Sequence, residues 1–284
     1  MHGKTVLITG GTNGIGLETA RELARLGARV VITGRNPAKT ASALEDLKRT
    51  SGNPNITSLL GDLSLMRETR RIAAEFSAQY DRLDVLINNA GGVFQRREFT
   101  EEGLEYTFAL NHMSYYLLTR LLLDKLTAST PARIINVSSG AHFLTSGVNF
   151  ENLQCERGTY SGFRRYSESK LMNVLFTLAL ARRVDSSKVT VNAVHPGLVH
   201  TGFGANNGGI VGRGVTLFSR VFGRTPEKGA ETSIHVASSA EGGQISGAYW
   251  DTSKVTPPSK QAVAVESQER LWRVSAELAG LPTG

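Results

Sequence analysis

The sequence predicts an α/β fold, a single doubly wound parallel sheet with helices on both faces, and three observations predict it. Short apolar, β-branched runs recur along the chain, and segments of helical period separate them. The runs are apolar on both sides, as strands buried on both faces are. The first run opens into a turn with four glycines in seven residues, Gly10-Gly11-Thr12-Asn13-Gly14-Ile15-Gly16, and then into a helix.

Taken in chain order, strands are expected at Thr5 to Thr9, Arg29 to Thr33, Ile56 to Leu60, Leu83 to Ile87, Arg133 to Val137 and Val189 to Val194, with a short last one around Gly247 to Trp250. Helical period marks Glu18 to Leu26, Pro37 to Arg49, Met66 to Tyr80, Leu104 to Leu126 and Tyr166 to Val184. The alternation continues past residue 190 with no Pro/Ser/Gly linker, so residues 1–284 are expected to form one domain. The region after Pro196 departs from it. Gly202 to Gly214 is glycine-rich without a clear period and reads as a mobile loop leading to a short helix around Val215 to Phe222. Because residues 198–225 leave the sixth strand at the ligand-binding edge of the sheet, a lid is expected there. Its apolar members, among them Leu198, Phe203, Ile210, Phe218 and Phe222, suit a lipophilic substrate, and they would equally close a core or a subunit contact.

A strand ending at Thr9, a glycine turn and a helix from about Gly14 make the first βα unit of a Rossmann-type dinucleotide-binding fold. Glycines let the backbone approach a pyrophosphate at the positive N-terminus of the helix. The spacing is G-x-x-x-G-x-G, over Gly10, Gly14 and Gly16. Glycine turns also end strands for structural reasons alone, so this turn does not decide the ligand.

Composition narrows the classes. The chain has a net charge of +7, with 40% hydrophobic and 20% charged residues, the balance of a soluble globular protein. Its 32 Lys and Arg are scattered in short pairs such as Arg70-Arg71 and Arg182-Arg183, which argues against nucleic acid; a solvated basic surface would instead attract an anionic cofactor. Cys155 stands alone, which excludes an intramolecular disulfide and a cysteine-rich zinc site and fits a reducing cytoplasm. His112, His142, His195, His200 and His235 show no metal-ligand spacing, and no metal is expected. With no signal-peptide pattern and no apolar run of about 18 residues, a cytoplasmic protein without a membrane span is expected.

Further motifs follow the later strands. Asp62-Leu63 comes after the third, Asn88-Asn89-Ala90-Gly91 after the fourth, and Asn111 lies in the long helix. Ser138-Ser139 follows the fifth strand, Tyr166-Ser167-Glu168-Ser169-Lys170 opens the next helix, and Pro196-Gly197 follows the sixth. With Thr9 to Gly16, these resemble the short-chain dehydrogenases/reductases over residues 5 to about 201: a TGxxxGIG loop, an adenine-contacting acidic position, an NNAG motif and a YxxxK pair. Val137 to His142, Phe176-Thr177, Ala181-Arg182-Arg183, His195-Pro196-Gly197 and Glu269 to Trp272 resemble the retinol-dehydrogenase-like branch.

The resemblance implies an oxidoreductase acting on CH–OH or C=O groups with a nicotinamide cofactor. It implies cofactor contacts at Gly10, Thr12, Asn13, Gly14, Ile15, Gly16, Arg35, Asp62, Leu63, Asn89, Ala90, Gly91, Tyr166, Lys170, Pro196, Gly197, Val199 and Thr201, and catalytic roles for Asn111, Ser139, Tyr166 and Lys170. On that pattern Ser139 hydrogen-bonds the substrate oxygen, Lys170 also holds the nicotinamide ribose, and Asn111 relays protons through a water to Lys170. Each motif alone has an ordinary reading as a turn, a strand end or a surface Tyr–Lys pair. Their placement together at the C-terminal ends of successive strands, where doubly wound folds bind ligands, favours the site.

The residue chemistry supports the same roles. A hydride leaves an alcohol carbon only as the hydroxyl proton is taken, so a base is needed, and tyrosine with a pKa of about 10 is too weak unaided. Lys170, four residues after Tyr166, shares its helical face, and a neighbouring cation stabilises phenolate. Counting alone does not separate Ser138 from Ser139, but alternation along a strand lets only one face the site.

The end of the second strand bears on cofactor choice. Thr33-Gly34-Arg35 places glycine where NAD-preferring relatives often carry Asp, and Arg35 could grip a 2′-phosphate, so NADP is expected and NAD remains possible. A solvated loop arginine is the plainer reading of Arg35. Two rival functions are a cofactor-sensing regulator without turnover, against which the intact Ser139, Tyr166 and Lys170 argue, and a sugar-nucleotide epimerase, which usually shows G-x-x-G-x-x-G and a larger C-terminal domain. Helices Leu104 to Leu126 and Tyr166 to Val184 are apolar over much of their circumference, as in a homo-oligomer or in a helix buried within one subunit.

Overall fold

The computed structural model describes residues 1–197 and 225–283. The expected Gly202 to Gly214 loop, the Val215 to Phe222 helix and the lid, except for Thr225, lie outside the described residues.

One eight-stranded sheet organises the chain. Its strands are β1 (Thr5–Ile8), β2 (Arg29–Gly34), β3 (Ile56–Leu60), β4 (Val85–Asn88), β5 (Ala132–Val137), β6 (Val189–His195), β7 (Ala248–Asp251) and β8 (Lys254–Val255), in the order β3-β2-β1-β4-β5-β6-β7-β8. All neighbours are parallel except β7 and β8. The order reverses between β1 and β4, and a doubly wound sheet has its ligand crevice at such a switch point.

Period-two alternation sends side chains to both faces, and both are covered. Val6, Ile8, Val30 and Ile32 face α1 (Gly14–Arg25), α2 (Pro37–Ser51) and α7 (Pro226–Ser238). Leu7, Val31, Leu86 and Ile134 face α3 (Met66–Gln79), α5 (Ser114–Ala128), α6 (Gly162–Ala181) and α9 (Val265–Ala279). Burying these faces supplies the main drive to fold, about 25 cal/mol per Å² of apolar surface removed from water. β3 is the exception to strands apolar on both sides: it lies at the edge of the sheet, with Thr57 and Leu60 exposed.

Several elements differ from the sequence reading. The expected helix from Leu104 to Leu126 is broken into the single turn α4 (Tyr106–Phe108), a π-helical turn over Ala109–Met113, and α5. Helix α6 starts at Gly162, four residues before Tyr166, because Ser161 caps it by accepting from the Arg164 N–H at 3.4 Å. Helices α7, α8 (Ala240–Gln244) and α9, and strand β8, had no counterpart among the expected elements.

Helix α9 accounts for the apolar circumference of α5 and α6. Its Trp272 ring lies 5.2 Å from Tyr116 and 6.1 Å from Phe176, and Glu269 pairs with Arg182 at 2.7 Å and with Arg183. Surfaces that suggested a partner subunit are thus covered from within the chain. Among the described residues, no helix is long and apolar enough to cross a membrane, and no group of three or more His, Cys, Asp or Glu could hold a metal.

His112 sits in the π-helical turn, fully buried, with Nε2 2.8 Å from Ser275 Oγ of α9. Burial pushes its pKa down from 6.5 to about 3. The unfolded chain therefore takes up a proton near pH 6.5 that the folded chain refuses until about 3, so the stability contribution is complete above 6.5 and is lost as the pH falls. Urea unfolding should show wild type losing about 2 kcal/mol more than His112→Gln between about pH 7.5 and 5, at about 1.4 kcal/mol per unit below 6.5. Equal losses in the two proteins would rule this account out.

Candidate active site

The C-terminal ends of β1, β4, β5 and β6 surround a cleft of about 220 Å³. Its lining brings together Gly10, Asn13, Gly14, Ile15, Gly16, Asn89, Ala90, Gly91, Tyr166, Lys170 and Pro196, with Ser138 and Val137. Gly10 and Gly14 have φ of 67° and 54°, in the left-handed region that glycine enters without strain. Gly16 has no room for a side chain: a Cβ there would fall on the Gly10 carbonyl oxygen and lie 2.5 Å from Asn89 Nδ2. The turn is held from β4. Asn89 Nδ2 donates to the carbonyls of Thr9 and Gly10 at 2.8 and 3.2 Å, while the N–H groups of Asn89 and Ala90 donate to Thr9 Oγ1 at 2.8 and 3.0 Å.

At the far end of β2, Arg35 reaches outward with 62% of its side chain exposed. Its Nη1 donates to the Tyr106 hydroxyl at 2.6 Å and lies 3.4 Å from Asp62 Oδ2. The other Asp62 oxygen accepts from Ser64 N–H and Oγ at 2.9 and 2.7 Å, and Leu63 is buried. Gly34 is sterically required. A Cβ there would run into Thr40 Oγ1 and lie 2.7 Å from the Thr12 methyl, so an acidic residue at 34 would have to displace both.

At the chemical end, α6 places Tyr166 and Lys170 one turn apart, both buried. Ser139 is close enough to the Tyr166 phenol to lower its pKa, and its Oγ accepts from the Ala141 N–H at 3.2 Å, capping the short 3₁₀ turn Gly140–Leu144. Ser138 points the other way, as alternation requires, and its Oγ donates to the Lys170 carbonyl at 2.8 Å. Lys170 Nζ donates to the Val137 carbonyl at 2.9 Å and lies 5.7 Å from the ring centroids of both Tyr166 and Tyr115.

Burial dominates both titrating groups. It pushes Lys170 from 10.5 down to about 7 and Tyr166 up to about 12, with Ser139 pulling the phenol back only in part. The phenol depression expected from Lys170 is not found: desolvation, which opposes charge on either group, is the largest influence on both, and only Ser139 lowers the phenol. Asn111 Nδ2 donates to Gly92 O at 3.0 Å and to Ser169 Oγ at 2.9 Å, while its Oδ1 accepts from Gly92 N–H at 3.0 Å. Its side chain thus clamps the segment after β4 to α6, rather than reaching Lys170.

Comparison with known proteins places this geometry. The short chain dehydrogenase family model matches residues 4–208. The chain belongs to the short-chain dehydrogenase/reductase family. It is 40% identical to human retinol dehydrogenase 13 over 286 residues, covering 98% of this chain and 85% of the relative, and 41% identical to human retinol dehydrogenase 12 over 281 residues, covering 99% and 88%. Among solved structures, an uncharacterised protein from Mycobacterium paratuberculosis superposes with a TM-score of 0.80 at 28% identity, covering 100% of this chain and 96% of that one. The Pseudomonas aeruginosa RhlG/NADP active-site complex superposes with 0.70 at 27% identity, covering 88% and 95%. This short-chain dehydrogenase/reductase is an oxidoreductase acting on CH–OH and C=O groups, in the retinol-dehydrogenase-like branch.

Of the residues singled out in the sequence of this dehydrogenase/reductase, Val199 and Thr201 lie outside the described residues. Gly197 donates its N–H to His195 Nδ1 at 3.3 Å. Sequence reasoning missed Tyr106, Tyr115 and the part His142 plays beside Ser139. A tyrosine outside the motifs carries no local signal, and an isolated histidine reads as core.

The opposed directions of the paired serines generate a test. Ser138→Ala should cost about 1–2 kcal/mol in urea unfolding, because the Lys170 carbonyl loses its partner, with less than a ~10-fold change in kcat. Ser139→Ala, which gives up the cap on the 3₁₀ turn, should cost about 1 kcal/mol in unfolding, and both it and Tyr166→Phe should lose ~10²-fold or more in kcat. Loss of activity in Ser138→Ala with retention in Ser139→Ala would reverse the assignment.

Proposed function

We propose that this chain is an NADP(H)-dependent oxidoreductase that interconverts a lipophilic carbonyl compound and its alcohol, with Tyr166 as the acid/base group. The observation that carries the reading is the placing of buried Tyr166 and Lys170, one helical turn apart, in the lining of the glycine-lined cleft, with Ser139 acting on the phenol. That cleft suits a dinucleotide, since Gly16 leaves bare backbone at the N-terminus of α1 where no Cβ would fit. Gly10, Gly14, Asn89 and Gly91 shape its wall, and Lys170 would hold the ribose.

Bound nicotinamide supplies the hydride acceptor or donor. In reduction, Tyr166 gives its phenolic proton to the carbonyl oxygen, which Ser139 orients by a hydrogen bond. Protonated Lys170 offsets the phenolate charge, an effect enlarged by the low dielectric of the buried site. Because Lys170 titrates near 7, it takes up or releases a proton close to neutrality. In oxidation the same groups act in reverse, with Tyr166 accepting the hydroxyl proton. Asn111 fixes Ser169 beside Lys170, and its proton-relay role rests on the family pattern.

NADP is favoured by Arg35, a guanidinium in solvent reach of the cleft's outer end, beside a Gly34 that offers no carboxylate. A lipophilic substrate is favoured by Phe143 and Leu144, which follow Ser139 in the 3₁₀ turn and are 50% and 68% exposed, and by the likeness to proteins named retinol dehydrogenases. The lone Cys155 fits the cytoplasm.

Two measurements test the reading. Arg35→Ala should raise the Kd for NADPH by ~10-fold or more and that for NADH far less, since only the former offers a 2′-phosphate to the guanidinium. Equal effects would overturn the NADP assignment. Gly34→Asp is a poor substitute because its Cβ alone disturbs Thr12 and Thr40. For the substrate, kcat/KM along a series of straight-chain aldehydes should rise by up to ~0.8 kcal/mol of transition-state stabilisation per methylene until the pocket is full. A flat series, or preference for polyhydroxylated or anionic substrates, would show the pocket to be polar.

A further inference from the structure

The turn that carries Ser139 is gripped by a side chain that the mechanism does not use. His142 is fully buried three residues on, and its Nδ1 lies 2.8 Å from the Ser139 carbonyl oxygen, which also accepts the His142 backbone N–H at 3.1 Å. The opposite ring nitrogen, Nε2, accepts the backbone N–H of Ser259 at 3.1 Å. Ser259 belongs to the segment between β8 and α9, far along the chain. A carbonyl only accepts and a backbone N–H only donates, so the two bonds leave one arrangement for the ring: neutral, with its proton on Nδ1. Phe143 and Tyr249 pack on it, with ring centroids 4.0 and 4.7 Å away, which fixes its plane. From the other side, the Gly140 N–H donates to His195 Nδ1 at 3.1 Å.

We propose that His142 is a positioning residue for Ser139, held as the Nδ1–H tautomer by Ser259, so that the C-terminal segment of the chain sets the aim of the serine hydroxyl at Tyr166. The proposal rests on the reading of Ser139 as the group that orients the substrate oxygen. The ring pins the carbonyl of Ser139, and with it the peptide plane from which the side chain projects. Loosening that plane leaves the cofactor cleft intact, since His142 does not line it. The effect therefore falls on kcat, with cofactor affinity unmoved.

Nitrogen-15 NMR of the histidine rings in the full-length protein reads the tautomer directly. Nδ1–H is expected for His142, and an Nε2–H ring would overturn the proposal. In kinetics, His142→Phe keeps the ring volume and removes both bonds, and should lower kcat ~10-fold or more, the scale of a small misplacement of a reacting group, at unchanged NADPH Kd. His142→Asn retains a donor near the Nδ1 position and should recover most of that loss. Should His142→Phe fail to fold, His142→Leu takes its place in the comparison. A wild-type kcat in the apolar variant, or an Asn variant no better than it, overturns the proposal. Ser139→Ala separates the two levels: if it keeps wild-type kcat, the reading of Ser139 fails and this proposal with it. If it loses activity while His142→Phe does not, the positioning role alone is wrong.

Discussion

The chemical end of the site depends on how the last residues of β5 grip Lys170. Its ammonium donates to the Val137 carbonyl, and its own carbonyl accepts the Ser138 hydroxyl, so the residue is tied to the strand at both ends. Asn173, one turn further along α6, donates to the same Val137 oxygen at 3.3 Å. These bonds set the rotation of α6 on the sheet, and that rotation decides where Tyr166 points. An ammonium in such a place is disfavoured by desolvation, which is why it titrates near 7. A helix free to roll would return the lysine to water and raise its pKa. Register and proton chemistry thus have one cause.

The cofactor end is built on the opposite principle, with backbone in place of charge. Left-handed glycines and a position without room for Cβ expose peptide groups at the start of α1, and Asn89 braces the turn from the neighbouring strand. Since β1, β4 and β5 are hydrogen-bonded neighbours in one sheet, their pairing sets the spacing between the glycine turn and Ser139. Both reacting partners would meet a preformed geometry, and less of the binding free energy is lost to ordering the site.

The strands and the helical layers were legible because burial on both faces writes an unbroken apolar run into each strand, and seven such runs correspond to β1 to β7; the strand order was not. β3 reads less cleanly, since an edge strand covers only part of itself. The π-helical turn at Ala109–Met113 was not legible: it alters the hydrogen-bond ladder by one residue without interrupting the apolar pattern around it. Helices α7 and α9 were hidden by a different cause, for their apolar residues are spaced among charged ones and gain meaning only against α1 and α6. At the site, some of the residues in the motifs line the cleft, among them Gly10, Gly16, Asn89, Tyr166 and Lys170, while Thr12, Arg35, Asp62, Asn111 and Ser139 are not in its lining; alternation at the end of β5 separates the two serines without saying which faces Tyr166. Contacts between distant segments, such as Arg35 with Tyr106 and His142 with Ser259, left no trace in local sequence.

The two ends of the cleft also differ in how much substitution each can bear. Arg35 is solvated and its pairing with Asp62 at 3.4 Å is of the exposed kind worth about 0–1 kcal/mol, so a phosphate that displaced Asp62 as its partner would lose little. If Arg35 reads the 2′-phosphate as proposed, discrimination between cofactors there comes from charge in a high dielectric, weakens with salt, and changes by replacing one or two surface residues. Lys170, Asn111 and Ser138 are buried, and the polar contacts described for them have their partners inside the chain. Removing one leaves another unsatisfied in a low dielectric, where the cost is the full desolvation of the orphaned group. Cofactor preference can therefore drift within this architecture while the proton-transfer end stays fixed, because the first is a surface equilibrium and the second is part of the core.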